Sequence, residues 1–297
     1  MSEGVGAARS RVPAAVGRAL RKPGDADHET VEAAGIPFHV RSWGERGSTP
    51  LLLLHGVTSS SLAWWRVGPA LAAAGLRVHA PDLPGHGLTQ SWRDHWRFRD
   101  NARDIVALAA ALRIAVPGLR VIGHSWGAMT AAALPAVGLV PERLVLLDPP
   151  AIPLAAIASM LDDPVEHHYD DLDEAIAAIR TANPTWSDGD VRAKAEALTQ
   201  FDERAVRDVL TGNGDWDGGL ADLADPAAAA VERWMIRGDP ATGGLVPDEV
   251  LPAYAAAIGA DRVLTISGAP HSPHRTHPRE TVAALLRAVG AGEAPAR

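Results

Sequence analysis

Serine, histidine and aspartate can together carry out acyl transfer, and one serine here stands where such chemistry would need it. The run Gly123-His124-Ser125-Trp126-Gly127 follows an apolar stretch from Leu119 and leads into a small-residue-rich stretch that stops at Pro135. A serine on a sharp turn between a buried strand and a helix presents its hydroxyl at the top of a sheet. Flanking glycines let the neighbouring backbones pass close to it. The adjacent helix N-terminus carries partial positive charge and favours an anion beside it. The pentapeptide recurs by chance, and the strand before it and the helix after it give it weight. A serine that merely caps the helix is the plainer alternative.

A second constellation is His271, His274 and His277, at metal-ligand spacing. Pro273 does not suit a regular metal-binding helix turn, and no nearby carboxylate cluster completes a site. No metal is therefore expected, and His274 is expected to be a structural hydrogen-bonder. His167-His168 reads as an exposed polar pair. With no cysteine in the 297 residues, disulfides, Cys-ligated zinc, iron–sulfur clusters and a cysteine nucleophile are excluded. A net charge of −8 argues against nucleic-acid binding, which needs a basic face.

The elements that must position these residues follow from periodicity. Two short strands joined at Gly35 begin at about His28. Apolar runs of strand length then recur at Leu51 to Gly56, Leu76 to Asp82, Leu119 to Ser125, Leu144 to Pro150, Trp234 to Pro240 and Arg262 to Gly268. Each is apolar on both faces, as a strand covered by helices on both sides must be. Helical stretches lie between them, at Ser61 to Ala74, Phe98 to Leu112, Ser125 to Leu134 and Thr281 to Val289. The alternation predicts a mostly parallel α/β sheet. Residues 151–230 break the rhythm with 17 acids against 5 bases. They read as a helical cap inserted into a core formed by residues 28–150 and 231–290. Residues 1–27 read as a basic, mobile or loosely docked tail, and residues 291–297 as a C-terminal tail.

Five motifs then match one family in the right order. They are His55-Gly56, the run Pro81-Asp82-Leu83-Pro84-Gly85-His86-Gly87, the serine turn, Gly238-Asp239-Pro240, and Gly268-Ala269-Pro270-His271. Over about Glu29 to Val289 the sequence resembles the α/β-hydrolase superfamily, in particular its capped serine hydrolases of the esterase, lactonase and carbon–carbon-bond hydrolase branch. Serine at position 125 disfavours the dehalogenase and epoxide hydrolase branches, which carry aspartate there. The resemblance implies an α/β-hydrolase fold with Ser125 as nucleophile and His271 as base. It implies Asp239 as the acid that orients the base, although Asp239 follows Gly238 without the family's usual spacing. Asp148, at the end of another strand, is the alternative acid. Backbone N–H groups of Val57 and Trp126 would form the oxyanion hole, and His55 would brace the loop.

Nine tryptophans are unusual for this length. Trp64, Trp65 and Trp92 are candidate pocket walls, with plain core filling the alternative. The implied activity is cofactor-free cleavage of a small-molecule ester or lactone. A carbon–carbon-bond hydrolase with the same triad, or a ligand-binding homologue without turnover, are the rival readings. An acidic cap with its charges in water would favour neutral substrates over anionic ones at low salt. No apolar run approaches roughly 18 residues, so no stable membrane insertion is expected. The lack of an export signal points to the cytoplasm, and a homodimer is compatible with the sequence.

Overall fold

The computed structural model describes residues 12–90 and 96–291. Eight strands form one sheet: β1 (Asp27–Ala33), β2 (Ile36–Trp43), β3 (Thr49–Leu54), β4 (Leu76–Pro81), β5 (Arg120–His124), β6 (Arg143–Leu147), β9 (Glu232–Arg237) and β10 (Val263–Thr265). Two further short strands, β7 (Ala151–Ile152) and β8 (Trp216–Asp217), pair separately. The order across the large sheet is β1-β2-β4-β3-β5-β6-β9-β10. β1 pairs antiparallel with β2, and β2 with β4. The other pairings are parallel, as the buried apolar runs require.

The run of four leucines in β3 shows why these segments are strands. Side chains alternate between the two faces of a sheet. Leu52 and Leu54 enter one core, with Ile105 and Leu108 of α3 (Phe98–Ala111) and Ala128 of α4 (Trp126–Ala132). Leu51 and Leu53 enter the other, with Leu71 of α2 (Val67–Ala72) and Leu285 of α12 (Pro278–Ala288). All four leucines are fully buried. An apolar-polar alternation would have left one face wet; this one cannot.

Two expectations need adjustment. The stretch expected as one helix from Ser61 to Ala74 divides into a short 3-10 turn, Ser61–Trp64, and α2. Pro69 has no N–H to give an upstream carbonyl and sits in the first turn of α2, where none is needed. In the expected N-terminal tail, Ala14–Arg21 forms α1, and its Val16 is fully buried in the second core. That part of the segment is docked rather than loose.

Between β6 and β9 lie the β7/β8 ribbon and five helices: α5 (Leu154–Ala158), α6 (Leu172–Ala182), α7 (Asp188–Leu198), α8 (Glu203–Thr211) and α9 (Leu220–Leu223). Asp171, Ser187 and Asp202 cap α6, α7 and α8 by accepting backbone N–H groups of their first turns. After β9 come α10 (Leu251–Ile258) and, beyond β10, α11 (Pro273–Thr276). No helix among the described residues is long and apolar enough to cross a membrane.

The turn between β5 and α4 is packed at backbone distance near the sheet's C-terminal edge. A Cβ on Gly123 would lie 2.1 Å from the Gly127 carbonyl oxygen, and one on Gly127 would lie 2.4 Å from the Leu54 carbonyl oxygen. Helix, β5 and β3 meet there at backbone distance, where only backbone atoms could yield. Gly123→Ala should therefore lower unfolding stability by roughly 1–3 kcal/mol, the usual range for overpacking. Chemical denaturation is the measurement; an unchanged midpoint would refute this close packing.

Candidate active site

Ser125 occupies the turn from β5 into α4 with φ 55° and ψ −122°. A non-glycine residue there carries backbone strain, of order 1–3 kcal/mol. The surroundings hold it in place: its N–H donates to the Leu147 carbonyl at 3.0 Å, and its own carbonyl receives the N–H groups of Ala128 and Met129. The hydroxyl donates to Nε2 of His271 at 2.9 Å.

His271 lies beyond β10, and its Nδ1–H donates to Asp148 Oδ2 at 2.6 Å. Asp148 has no exposed surface. Its Oδ1 also accepts the Gly238 N–H at 2.8 Å, and its Oδ2 the Leu245 N–H at 3.0 Å. Its backbone adopts φ 44° just past β6, and its N–H donates to the Ile236 carbonyl at 2.7 Å. Serine, imidazole and carboxylate thus form one continuous hydrogen-bonded line.

The expectation for Asp239 is corrected. Its Oδ1 accepts the Ala241 N–H at 3.0 Å, capping a short 3-10 turn, and its Oδ2 accepts the Gly268 N–H at 2.9 Å. These backbone hydrogen bonds hold its carboxyl below the usual carboxylate range. The carboxylate is committed to joining two loops and does not reach His271. The reason is local: an aspartate immediately before proline and a turn is suited to capping that turn.

The loop after β3 passes over the serine, for a Cβ on Gly56 would approach Ser125 Cβ to 3.1 Å. His55 braces this loop by donating from Nδ1 to the Gly56 carbonyl at 2.7 Å and accepting the Leu83 N–H on Nε2 at 2.9 Å. Burial holds its pKa at about 4, which keeps this neutral tautomer. Asp82, from the Pro81–Gly87 motif, accepts the N–H groups of Ser61 at 2.6 Å and Leu88 at 3.0 Å. Among the described residues, no protein acceptor takes the backbone N–H of Val57 or Trp126.

A cavity of about 290 Å³ opens on this line. Gly56, Val57, Ser125 and His271 lie on one side, and residues of the inserted segment, among them Ile157, Met160 and Leu210, close the other. The tryptophan expectation does not hold for Trp64 and Trp65. Trp64 is fully buried behind the site against the His274 ring, 5.2 Å between centroids, and Trp65 donates its indole N–H to Asp190 at 3.0 Å. Trp92 lies outside the described residues. The indoles on the cavity are instead Trp186 and Trp216, both from the insertion.

The three downstream histidines do not converge. His277 Nδ1 bonds Thr276 Oγ1 at 2.9 Å, while His274 packs its ring against His124 at 4.6 Å. Among the described residues, His274 has no hydrogen-bond partner at either ring nitrogen, contrary to the hydrogen-bonding role expected for it. His124 instead donates from Nε2 to the His271 carbonyl at 2.8 Å, tying the loop of His271 to the strand that leads into Ser125. Burial holds His124 well below the usual histidine range.

Sequence reasoning also missed two cations on the cavity wall, Lys194 and Arg275. Lys194 carried a signal, because it falls with Val191, Ala195 and Leu198 on the apolar face of α7.

The sequence profile of the alpha/beta hydrolase family matches residues 51–285. Lipase LipV of Mycobacterium tuberculosis is 30% identical over 267 residues, covering 85% of this chain and 97% of that protein. Among solved structures, E-2-(acetamidomethylene)succinate hydrolase superposes with TM-score 0.76 at 20% identity, covering 90% of this chain and all of that one. The N-acyl homoserine lactonase AidH superposes with TM-score 0.67 at 20% identity, covering 92% and 99%. At that identity the two structures speak for the fold.

Burial also holds His79 at about 4 and His86 at about 3. In the unfolded chain, imidazoles protonate near pH 6.5. As pH falls from there towards 4, the unfolded chain takes up protons that folded His55, His79 and His86 refuse, so stability declines. The thermal midpoint should therefore drop steadily from pH 7 to pH 5. A constant midpoint over that interval would contradict the neutral, buried state of these rings.

Proposed function

The chain belongs to the alpha/beta hydrolase family, and from that premise we propose that it is a serine hydrolase cleaving a carboxylic ester or lactone through an acyl-enzyme on Ser125. The observation that carries this reading is the unbroken line from the Ser125 hydroxyl through His271 to Asp148, opening on one cavity. As Ser125 Oγ attacks the carbonyl carbon, His271 Nε2 takes its proton. Asp148 keeps the proton on Nδ1, so that Nε2 is free to accept, and it stabilises the imidazolium that forms. The carbonyl oxygen, now negative, is received by the N–H groups of Val57 and Trp126. Collapse of the intermediate expels the alcohol, which takes the proton from His271. Water then attacks the acyl-enzyme along the same path, with His271 again as base. The named activity of lipase LipV supports cleavage of an ester bond rather than a carbon–carbon bond.

Two experiments test this. A fluorophosphonate probe should label Ser125, and Ser125→Ala should lose the label and on the order of 10⁴-fold in kcat with its fold intact. Near-normal ester turnover by that variant would sink the proposal. The acid is tested by a pair of variants. Asp148→Asn should lower kcat by roughly 10²- to 10⁴-fold through loss of the correct tautomer, whereas Asp239→Asn should have a far smaller effect. The reverse order would restore Asp239 as the orienting acid.

A further inference from the structure

Buried cations on a cavity wall are rare, because removing a charge from water is unfavourable unless a partner replaces the lost hydration. Two of them line this one. Lys194, only 5% exposed, has its partners within the protein. Its ammonium donates to the Thr58 carbonyl at 2.9 Å, to Thr58 Oγ1 at 3.0 Å, and to the Glu166 carboxylate. All three N–H donors are used, and Glu166 balances the charge.

Arg275 differs. It is 4% exposed, lies four residues after His271 on α11, and lines the same cavity as Ser125. Its Nη1 donates to the Asp190 backbone carbonyl at 3.0 Å, and its guanidinium packs over the Trp186 ring at 5.0 Å. Among the described residues, no carboxylate accepts a hydrogen bond from it. The carboxylates around it are engaged elsewhere. Asp190 Oδ1 takes the Trp65 indole N–H, and Asp190 Oδ2 takes Arg66 and the Ser187 hydroxyl. Glu166 is held by Lys194 and Thr58. Asp163, on the same wall, has Oδ1 bound to the N–H groups of Val165 and Glu166, which turns it towards its own loop. Arg275 therefore carries a planar fork of donors, oriented by Trp186, with only one of them satisfied. That is the geometry that receives a carboxylate with two parallel hydrogen bonds.

We infer that the cavity takes a substrate bearing a carboxylate in addition to the bond that is cleaved, and that Arg275 holds that carboxylate. The inference rests on the acyl-enzyme reading of Ser125 and adds the substrate class to it. It also reverses what the composition of the insertion implied. The excess of acids in residues 151–230 pointed to neutral substrates, but the cavity wall also carries the Arg275 cation with no carboxylate hydrogen-bonded to it among the described residues, while Asp163 is turned towards its own loop. Arg275 is here a substrate-binding residue, not a participant in bond cleavage.

The test uses the full chain and kcat/KM for 4-nitrophenyl esters of ω-carboxyalkanoic acids from succinic to suberic. Each is compared with the uncharged alkanoate of equal length. A second pair of acetates carries the carboxylate on the leaving group, 3-carboxy-4-nitrophenyl against 4-nitrophenyl. One anionic ester should exceed its neutral partner by roughly 10- to 100-fold, the effect of one hydrogen-bonded charge pair. Arg275→Met should abolish that preference by lowering kcat/KM far more for the anionic ester than for the neutral one, and Arg275→Lys should keep part of it. Absence of any anionic preference in the wild-type protein would overturn the inference, and so would equal loss on both esters in Arg275→Met, the mark of a purely structural arginine. If Arg275→Met does not fold, the wild-type comparison together with Arg275→Lys decides. Fluorophosphonate labelling of the same preparation separates the two levels: a labelled Ser125 without anionic preference defeats only the role of Arg275, whereas unlabelled protein and a fully active Ser125→Ala defeat the acyl-enzyme reading itself.

Discussion

The buried carboxylate of Asp148 is the interaction on which the rest of the site depends. It has no contact with water, so every charge-stabilising bond must come from the protein, and three N–H donors supply them. Two are backbone groups, from Gly238 just beyond β9 and Leu245 further along the same loop; the third is the His271 ring. The ends of β6, β9 and β10 are thereby gathered at one point. Loss of that carboxylate would leave three donors without partners in a dry interior, each at roughly 1–3 kcal/mol. The same group that orients the imidazole therefore also fixes the loops that carry it, and orientation and loop structure cannot be separated at this residue.

Around that point, strain and close packing serve the serine. The positive φ of Ser125 is tolerated because β5 and α4 meet at backbone distance through Gly123 and Gly127, while the 55–58 loop covers the turn from above. His55 and His124 act as neutral hydrogen-bonding struts, each held uncharged by burial. The insertion contributes the far wall and, with Trp186, Lys194 and the carbonyl of Asp190, its polar character. The sheet thus presents the hydrogen-bonded line of Ser125, His271 and Asp148, and the insertion, with Arg275 from the core, walls the cavity in front of it.

Elements dominated by local pattern were legible in the sequence. The apolar strand runs follow from short-range periodicity, and the structure has strands there; the serine turn was legible as a motif and His271 through the family resemblance, and the structure brings the two within 2.9 Å. What was misjudged depends on contacts between distant segments. Asp239 sits in a conspicuous Gly-Asp-Pro motif, yet its conspicuousness comes from capping a turn. Asp148 reaches a partner 123 positions away, and its place at a strand end offered it only as the alternative acid. Trp64, close in sequence to the 55–58 loop, fills space behind it, because a large apolar ring is stable in any dry site, and Trp65 gives its indole N–H to Asp190. Trp186 and Trp216 reach the cavity only through the folding of the insertion. The burial of Arg275 and its shortage of acceptors become visible only once α7 and α11 are packed together.

The most direct test of this account is to find the covalent intermediate. Protein quenched in acid during turnover of a slow-deacylating ester should gain the mass of the acyl group, and peptide mapping should place it on Ser125. The Ser125→Ala protein should gain none. An adduct mapped to another residue, or turnover in which no acyl-protein accumulates even when deacylation is made limiting, would contradict a mechanism that runs through this serine.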